Sequence, residues 1–328
     1  AGLLDRLGLP YVPLADLDLA AHAGGLELLL FPYNPSLPDT AYAAVERFVA
    51  HGGKLITCFN IPAPLARIAQ LAPGAYVGEE TSGHFASIRP ANGGLPGMPD
   101  ITPQASWNIV AMTPANASGR VAARWHTAAG VDTGHPAVVV TGRAAHLTHL
   151  FLRDAPDEKA RLLLAMVGHL LPDAWETAAR AAMTRAGAFG PYAGFEQAVA
   201  GLSAATPERA RADLEQARSF HARAGEALAR GDHPGALASA AEARNRLFRA
   251  YAAAQPARPG EFRGFWCHNA YGVPGMSWDE AVRNLAANGF NAVLPNMLWG
   301  GVAYYPSSVL PVAADVGVQG DALAQCLA

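Results

Sequence analysis

A strand, a helix and a second strand follow one another within residues 26–58, and this order constrains the fold more than any other feature of the sequence. Residues 26–31 form a nearly continuous apolar run, which is typical of a strand buried on both faces. A helix with one apolar face follows, and the pair Gly52-Gly53 ends it. Residues 54–58 form the next predicted strand. Because a helix connects the two strands, they are predicted to pair in parallel.

The rest of the first half of the chain fits the same α/β pattern. The further predicted elements are a helix at 3–8, a short strand at 11–14, strands at 137–141 and 146–151, and a helix at 156–171. Residues 75–135 are rich in Gly, Pro, Ala and Thr, and within them Gly93-Gly94-Leu-Pro-Gly97 and Ile101-Thr-Pro are predicted to be loops. We therefore predict a doubly wound, flavodoxin-like α/β domain over residues 1–173. Its first strand is expected upstream of residue 1, because no strand precedes the first helix.

Two segments of this domain resemble the class I glutamine-amidotransferase-like domains, which include the non-catalytic version called the β-galactosidase trimerisation domain. The segments are Leu28-Leu-Leu-Phe-Pro-Tyr-Asn-Pro and Phe48-Val-Ala-His-Gly-Gly-Lys-Leu-Ile-Thr-Cys-Phe. The resemblance implies an accessory scaffold domain and a homo-oligomer formed through it. Any pocket in such a domain is expected at the strand ends, near Asn34, Cys58 and Asn60.

Cys58 stands where true amidotransferases carry their nucleophile. A nucleophile elbow needs small residues on both sides of the cysteine, whereas Thr57 and Phe59 flank Cys58. The nearest candidate bases, His146 and His149, are not followed by a Glu that could orient them. We therefore interpret Cys58 as a buried strand cysteine.

Two tryptophans of the first domain have two interpretations. Trp107 and Trp125 lie in or beside short strand-like segments, as does His126. They are either packing residues or part of a carbohydrate-binding rim, and the sequence does not decide between these.

Composition and charge exclude several classes of partner. The chain has 328 residues and a formal net charge of −3, which gives no electrostatic reason to expect nucleic acid. No run of about 18 apolar residues predicts a membrane span. The three cysteines are far apart, and no motif predicts a metal site or a cofactor. The chain starts at Ala1 rather than at Met, so we expect the natural N-terminus upstream and leave localisation open, export included.

Residues 174–258 are predicted to form a helical connector. Thr206 and Pro207 mark a helix start, after which small and apolar residues recur on one stripe. The segment Gly231-Asp-His-Pro ends this helix and starts another, so an αα-hairpin is predicted. A linker rich in proline then leads into a third domain, which we place at residues 259–328.

A second strand–helix–strand unit lies within residues 261–296. Its first strand ends in the polar residues His268 and Asn269, and its second strand ends at Asn296. Ser277 is predicted to cap the helix between them. Parallel strands that are joined by a helix and have polar carboxyl ends are typical of the beginning of a (β/α)₈ barrel, whose working face lies at those ends.

Three motifs in this part of the chain resemble the glycosyl-hydrolase-like family 10 proteins. In chain order they are Phe262-Arg-Gly-Phe-Trp, Gly289-Phe-Asn-Ala-Val and Gly301-Val-Ala-Tyr-Tyr-Pro-Ser. The resemblance implies hydrolysis of glycosidic bonds in a polysaccharide, and that chemistry needs two carboxylates beside the scissile bond. Neither strand ends in an acidic residue, so we expect the catalytic pair beyond residue 328. Since a TIM barrel takes about 250 residues, the chain is expected to carry only its first part and to be inactive alone.

This part of the chain can supply a substrate-binding surface for carbohydrate. Polar side chains at strand ends can hydrogen-bond sugar hydroxyls, and aromatic side chains of the following loop can stack on pyranose rings. The predicted substrate-binding residues are His268, Asn269, Asn296, Trp299, Tyr304 and Tyr305. Packing of the loop on the barrel rim is the alternative for the aromatic residues. Trp266 is interpreted as a core residue and Cys267 as part of the barrel wall.

Three functional hypotheses stay open at this point. The first is a glycoside hydrolase-like protein with an amidotransferase-like accessory domain. The second is a non-catalytic carbohydrate-binding or assembly protein on the same scaffold. The third is a Cys-dependent amidotransferase-like enzyme that uses Cys58.

Overall fold

The computed structural model describes residues 2–203, 208–255 and 258–328 and divides the chain into two compact units. The first unit is Ala1–Ala254 and the second is Gln255–Ala328. The predicted helix start at Thr206 and Pro207 lies outside the described residues. In the part of the chain that the structure describes, every helix is too short or too polar to cross a membrane.

The first unit contains nine α-helices in the residues described. They are α1 Gly2–Leu7, α2 Leu19–His22, α3 Asp39–Ala50, α4 Ala63–Ile68, α5 Pro156–Leu170, α6 Ala174–Arg185, α7 Phe195–Ser203, α8 Glu208–Ala229 and α9 His233–Ala254. Short 3₁₀ turns at Asp16–Asp18 and Ala23–Gly25 flank α2.

Most strands of the first unit belong to one sheet, and a few short ones form separate pairs. The strands are β1 Leu28–Phe31, β2 Lys54–Cys58, β3 Leu71–Ala72, β4 Tyr76–Gly78, β5 Phe85–Pro90, β6 Thr102–Ser106, β7 Asn108–Val110, β8 Thr113–Pro114, β9 Arg120–His126, β10 Asp132–Val140, β11 Ala144–Leu147, β12 Ala188–Phe189 and β13 Tyr192–Ala193. The main sheet has seven strands in the order β1-β2-β11-β10-β9-β5-β6.

The main sheet is mixed, so the chain has an α/β architecture without the predicted flavodoxin-like arrangement. β1 and β11 both pair with β2 in parallel, and the helix α3 makes the crossover from β1 to β2 as predicted. The other pairs, from β11 through β10, β9 and β5 to β6, are antiparallel. Only residues 141–143 separate β10 from β11, and a connection of that length allows only an antiparallel hairpin.

Two sequence-based predictions in this unit are wrong. The segment Ile101-Thr-Pro is predicted to be a loop, yet β6 begins at Thr102, because antiparallel ladders tolerate short segments between frequent turns. The predicted strand at 11–14 is absent from the structure. Pro10 and Pro13 lack the amide hydrogens that a ladder needs there.

The inner strands β2 and β11 of the main sheet are buried on both faces, as the apolar sequence of β2 predicts. Leu55 of β2 packs in one core cluster with residues of α3 and α4, while Ile56 and Cys58 pack in the opposite cluster with residues of α5. This alternation follows from the two-residue period of a strand. Each fully buried Leu or Ile side chain contributes roughly 1.5–3 kcal/mol to the stability of the fold.

The helices α8 and α9 form the predicted hairpin. Their buried faces consist largely of alanine, which lets the two backbones approach closely. The buried members are Ala210, Leu214, Ala217, Ala224 and Ala227 on α8, and Ala236, Ala240, Ala243, Leu247 and Ala250 on α9.

The second unit contains a parallel strand pair with a crossover helix. Its elements are β14 Gly264–Cys267, α10 Trp278–Ala287, β15 Ala292–Pro295, β16 Leu298–Trp299, β17 Val302–Ala303, α11 Ala314–Gln319 and α12 Ala322–Leu327. β14 and β15 are parallel, with Cys267 opposite Pro295. Ser277 caps α10 as predicted, because its Oγ accepts the amide hydrogen of Glu280 at 3.2 Å.

Candidate functional site

The carboxyl ends of β14 and β15 lie side by side. Cys267 is the register partner of Pro295, and the Asn296 amide donates to the Cys267 carbonyl at 2.8 Å. The residues that follow each strand, His268 on one side and Asn296 on the other, therefore begin at the same edge of the strand pair. This juxtaposition is the one expected of a parallel α/β unit.

A cavity of about 440 Å³ opens at this edge. Its walls combine ring side chains with polar groups and come from the end of β14, the β16–β17 hairpin and α11. The lining residues are His268, Asn269, Ala270, Tyr271, Trp299, Tyr304, Asp315 and Gln319. Four of the six predicted site residues therefore lie together, namely His268, Asn269, Trp299 and Tyr304. The other two, Asn296 and Tyr305, are not among the lining residues.

Two pairs of rings meet edge to face in the cavity wall. The His268 and Trp299 rings are 6.5 Å apart between centroids at an interplanar angle of 89°. The Tyr271 and Tyr304 rings are 6.1 Å apart at 86°. Edge-to-face contact leaves much of each ring face uncovered. Trp299 is 63% exposed, so its indole face is available to a ligand.

A tight hairpin turn positions Trp299. Trp299 is paired with Val302, and the two residues between them, Gly300 and Gly301, have φ angles of 60° and 81°. A two-residue hairpin loop with positive φ at both positions strongly favours glycine. The Gly-Gly pair in the sequence is therefore what turns the chain sharply enough to place the indole beside His268.

Backbone hydrogen bonds hold Tyr304 and Tyr271 in place. The Tyr304 amide donates to the Met297 carbonyl at 3.0 Å, and the Tyr304 carbonyl accepts from the Ala322 amide at 3.1 Å. The Asn269 Oδ1 accepts the Tyr271 amide hydrogen at 2.9 Å, which is an Asx turn. The Tyr271 hydroxyl donates to the Gly320 carbonyl at 3.0 Å, which fixes its ring. The walls of the cavity are thus preorganised.

One carboxylate, that of Asp315, lines the cavity, and no Arg or Lys is among the lining residues. Partial burial raises the pKa of the Tyr271 hydroxyl, and the Asp315 carboxylate, Tyr304 and Asp321 raise it further. Asp315 and Gln319 are four residues apart on α11 and therefore share one face of the helix.

Sequence reasoning missed Tyr271, Asp315 and Gln319. Tyr271 follows the polar strand end by only two residues, and the Asx-turn chemistry of Asn269 signals a chain reversal at that point. The spacing of Asp315 and Gln319 indicates a shared helix face. Nothing in the sequence signals that this face meets the strand ends.

The interpretation of Trp266 as a core residue is wrong, because its side chain is 62% exposed. Trp266 lies on β14, and β14 and β15 form a two-stranded sheet. Two strands are too few to enclose a tryptophan. Cys267 is partly buried, and its thiol donates to the Asn269 carbonyl with a sulfur–oxygen distance of 3.2 Å.

Cys58 of the first unit is buried in the strand β2, as the sequence predicts. Burial raises the pKa of the Cys58 thiol to about 12, so almost no thiolate is present at neutral pH. A nucleophile elbow places the nucleophile itself in a strained conformation, whereas here the positive φ of 56° belongs to Phe59 and not to Cys58. The Phe59 ring packs against His149 with centroids 5.3 Å apart. His146 contacts Thr57 rather than Cys58. The geometry does not favour an amidotransferase mechanism.

The two undecided tryptophans of the first unit differ in environment. Trp125 is completely buried and donates its indole hydrogen to Thr148 Oγ1 at 2.9 Å, so it is a packing residue. Trp107 is 56% exposed, and its ring lies edge-on to His149 with centroids 5.4 Å apart. Among the residues that the structure describes, no group of three His, Cys, Asp or Glu side chains is arranged to hold a metal ion.

Comparison with known proteins gives distant structural neighbours. No protein-family model matches the chain, and no curated protein sequence matches it. The solved structures that resemble it include a cold-adapted β-galactosidase from Rahnella sp. R3, with a TM-score of 0.35, 16% identity, and coverage of 45% of this chain and 23% of the other. They also include α-L-fucosidase isoenzyme 2 from Paenibacillus thiaminolyticus, with a TM-score of 0.35, 14% identity, and coverage of 47% of this chain and 26% of the other.

Both of these neighbours are glycoside hydrolases, and the chain spans about a quarter of the length of each. Both TM-scores lie below 0.5, so the likeness assigns neither a shared fold nor a function to this chain.

Proposed function

We propose that the second unit is a carbohydrate-binding rim of a glycoside hydrolase-like (β/α)₈ barrel and that its ligand is a polysaccharide. The observation that supports this most is the cavity at the carboxyl ends of the parallel strands β14 and β15, with Trp299 exposed in its wall. Active sites of (β/α)₈ barrels lie at the carboxyl ends of their strands. The motifs that resemble the glycosyl-hydrolase-like family 10 proteins occupy the same unit.

The chemistry of the cavity wall suits a sugar. A pyranose presents apolar C–H groups on its faces and hydroxyl groups around its edge. The Trp299 indole offers an apolar face, while Asn269 and Gln319 offer amide groups that donate and accept hydrogen bonds. The cavity volume of about 440 Å³ falls within the range of about 300–1,000 Å³ that is usual for small-ligand sites.

We assign no hydrolytic step to the described residues. Hydrolysis of a glycosidic bond needs two carboxylates, and Asp315 is the one carboxylate among the residues that line the cavity. Asp279 is engaged elsewhere, in an ion pair with Arg283 on α10. The role proposed for this cavity is to bind and orient the glycan.

The first unit is proposed to be an accessory domain of the amidotransferase-like type, through which the protein forms a homo-oligomer. Its Cys58 is buried in the core cluster that contains residues of α5. A cysteine in that position serves packing, and an accessory role requires no thiolate.

Isothermal titration calorimetry of the full chain with a panel of oligosaccharides tests the proposal. The panel contains hexasaccharides of glucose with β-1,4 and α-1,4 linkages, of xylose, and of glucosamine. At least one is expected to bind, and Trp299→Ala is expected to weaken its binding by about 1–2 kcal/mol, a factor of about 5–30.

Trp107→Ala is the matched control, because Trp107 is also an exposed tryptophan but belongs to the first unit. It is expected to leave the affinity unchanged. Absence of binding across the panel, or equal losses in the two variants, would refute the proposed function.

A further inference from the structure

The cavity of the second unit has one formally charged side chain in its wall. Asp315 contributes a carboxylate, and no Arg or Lys is among the lining residues. In the described part of the chain, the Asp315 carboxylate accepts no hydrogen bond and forms no ion pair. The Asp315 side chain is solvent-exposed at the mouth of the cavity, and a carboxylate without an internal partner is free to pair with a cationic group supplied by a ligand.

The neighbouring carboxylate, Asp321, has a structural role. Its Oδ1 accepts the amide hydrogens of Leu323 and Ala324 at 3.0 Å each, which caps α12. Asp315 and Asp321 both act electrostatically on the Tyr271 hydroxyl in the same wall. Asp315 is the one carboxylate in the wall, and its negative charge disfavours anionic sugars such as uronic acids.

The aromatic side chains of the cavity wall also favour a cationic ligand. The faces of Trp299, Tyr271 and Tyr304 carry the negative pole of the aromatic quadrupole, and a cation is attracted to such faces. A carboxylate beside aromatic walls therefore suits an ammonium group attached to a body with apolar faces.

From this arrangement we propose that the cavity selects glycans that carry protonated amines, namely 2-amino-2-deoxyhexose residues such as glucosamine, and that Asp315 is the specificity-determining residue. This inference rests on the proposed carbohydrate-binding function and names its ligand class. The Asp315 carboxylate pairs with the ammonium group, and Trp299 supports the sugar ring.

Three tetrasaccharides with the same β-1,4 backbone test the inference on the full chain. One is built of glucosamine, one of N-acetylglucosamine and one of glucose, so they differ only at the second carbon of each ring. The glucosamine tetrasaccharide is expected to bind about ten-fold more tightly than the other two at low salt and about pH 6, where its amino groups are largely protonated. This factor is the scale of one charge-assisted hydrogen bond. High salt is expected to reduce this preference.

Asp315→Asn is expected to remove the preference while the glucose tetrasaccharide still binds. Asp315→Glu, which keeps the charge, is expected to retain part of it. Glu261→Gln is the matched control, because Glu261 is an exposed acid that precedes β14 and lies at the strand end away from the cavity. It should leave all three affinities unchanged.

The outcomes separate this inference from the function on which it rests. Equal affinities for the three tetrasaccharides, or an equal loss for all three in Asp315→Asn, would overturn the amine selectivity and leave carbohydrate binding standing. Binding of none of them would overturn both.

Discussion

His146 lies at the centre of the main sheet and makes the stability of the first unit depend on pH. It is opposite Thr57 in the parallel β2–β11 ladder, and its Nδ1 is 2.9 Å from Thr57 Oγ1. Its Nε2 is buried without a hydrogen-bond partner among the described groups. Burial lowers the pKa of His146 to about 3 from its ordinary value of 6.5. The imidazole is therefore neutral in the folded protein throughout the physiological range.

The direction of the effect follows from proton binding. In the unfolded chain the imidazole takes up a proton as the pH falls through about 6.5, whereas in the folded chain it stays neutral until about pH 3. Acid therefore favours the unfolded state. Integrating the difference in bound protons gives a loss of about 2 kcal/mol between pH 7 and pH 5 and of about 4 kcal/mol by pH 3.

The assay is the free energy of unfolding from denaturant titrations of the full chain at pH 7 and pH 5. His146→Gln removes the titrating group and keeps a side chain that can bond Thr57. The variant is expected to lose about 2 kcal/mol less than the wild type between the two pH values.

The matched control for this comparison is His22→Gln, in which an exposed histidine is replaced. This control should retain the pH dependence that is assigned to His146, because it leaves His146 and its buried surroundings unchanged. If His146→Gln and wild type lost equal stability on acidification, the argument from burial would be refuted.

Two further predictions concern the reactivity of the three cysteines and the packing of the α8–α9 hairpin. In the folded chain at pH 8, an alkylating reagent is expected to modify the partly exposed Cys267 and Cys326 and to leave Cys58 unmodified. The rise in the pKa of the Cys58 thiol from 9.0 to about 12 reduces its thiolate fraction about a thousandfold. Peptide mass spectrometry identifies the modified cysteines, and rapid labelling of Cys58 would contradict the prediction. Ala243 is buried in the interface between α8 and α9, and Ala243→Leu is expected to lower the free energy of unfolding by about 1–3 kcal/mol through overpacking. Ala241 is exposed, and Ala241→Leu is expected to lower it by less than about 0.5 kcal/mol. Equal effects of the two substitutions in thermal unfolding would refute this explanation.

The features that the sequence predicts correctly depend on local patterns. The order β1, α3, β2 follows from an apolar run, an amphipathic helix and a Gly-Gly stop, all within about 30 residues. The order β14, α10, β15 is signalled in the same way, with Ser277 at the helix cap. Such signals act between near neighbours in the chain and need no knowledge of distant contacts.

The features that were missed depend on contacts between distant segments. The pairing of β5 with β9 joins segments that are separated by β6, β7 and β8, so it is decided by tertiary packing. The frequent Gly and Pro of residues 75–135 also obscure the strand pattern there. The same limit applies to the cavity. Asp315 is more than 40 residues from His268, and only the folded second unit brings both to one wall. Trp266 was misassigned because an apolar side chain on a strand does not reveal how many strands cover it.

The most direct test of the central claim is an NMR titration of the tryptophan indole groups with the tightest-binding oligosaccharide of the panel. The chain has six tryptophans, so its indole region contains six signals at most, and Trp299→Phe assigns the relevant one. The account predicts that the Trp299 signal shifts in proportion to bound sugar while those of Trp107 and Trp125 stay in place. A Trp299 signal that does not move at saturation, or a shift confined to Trp107, would contradict the assignment of the cavity as the carbohydrate site.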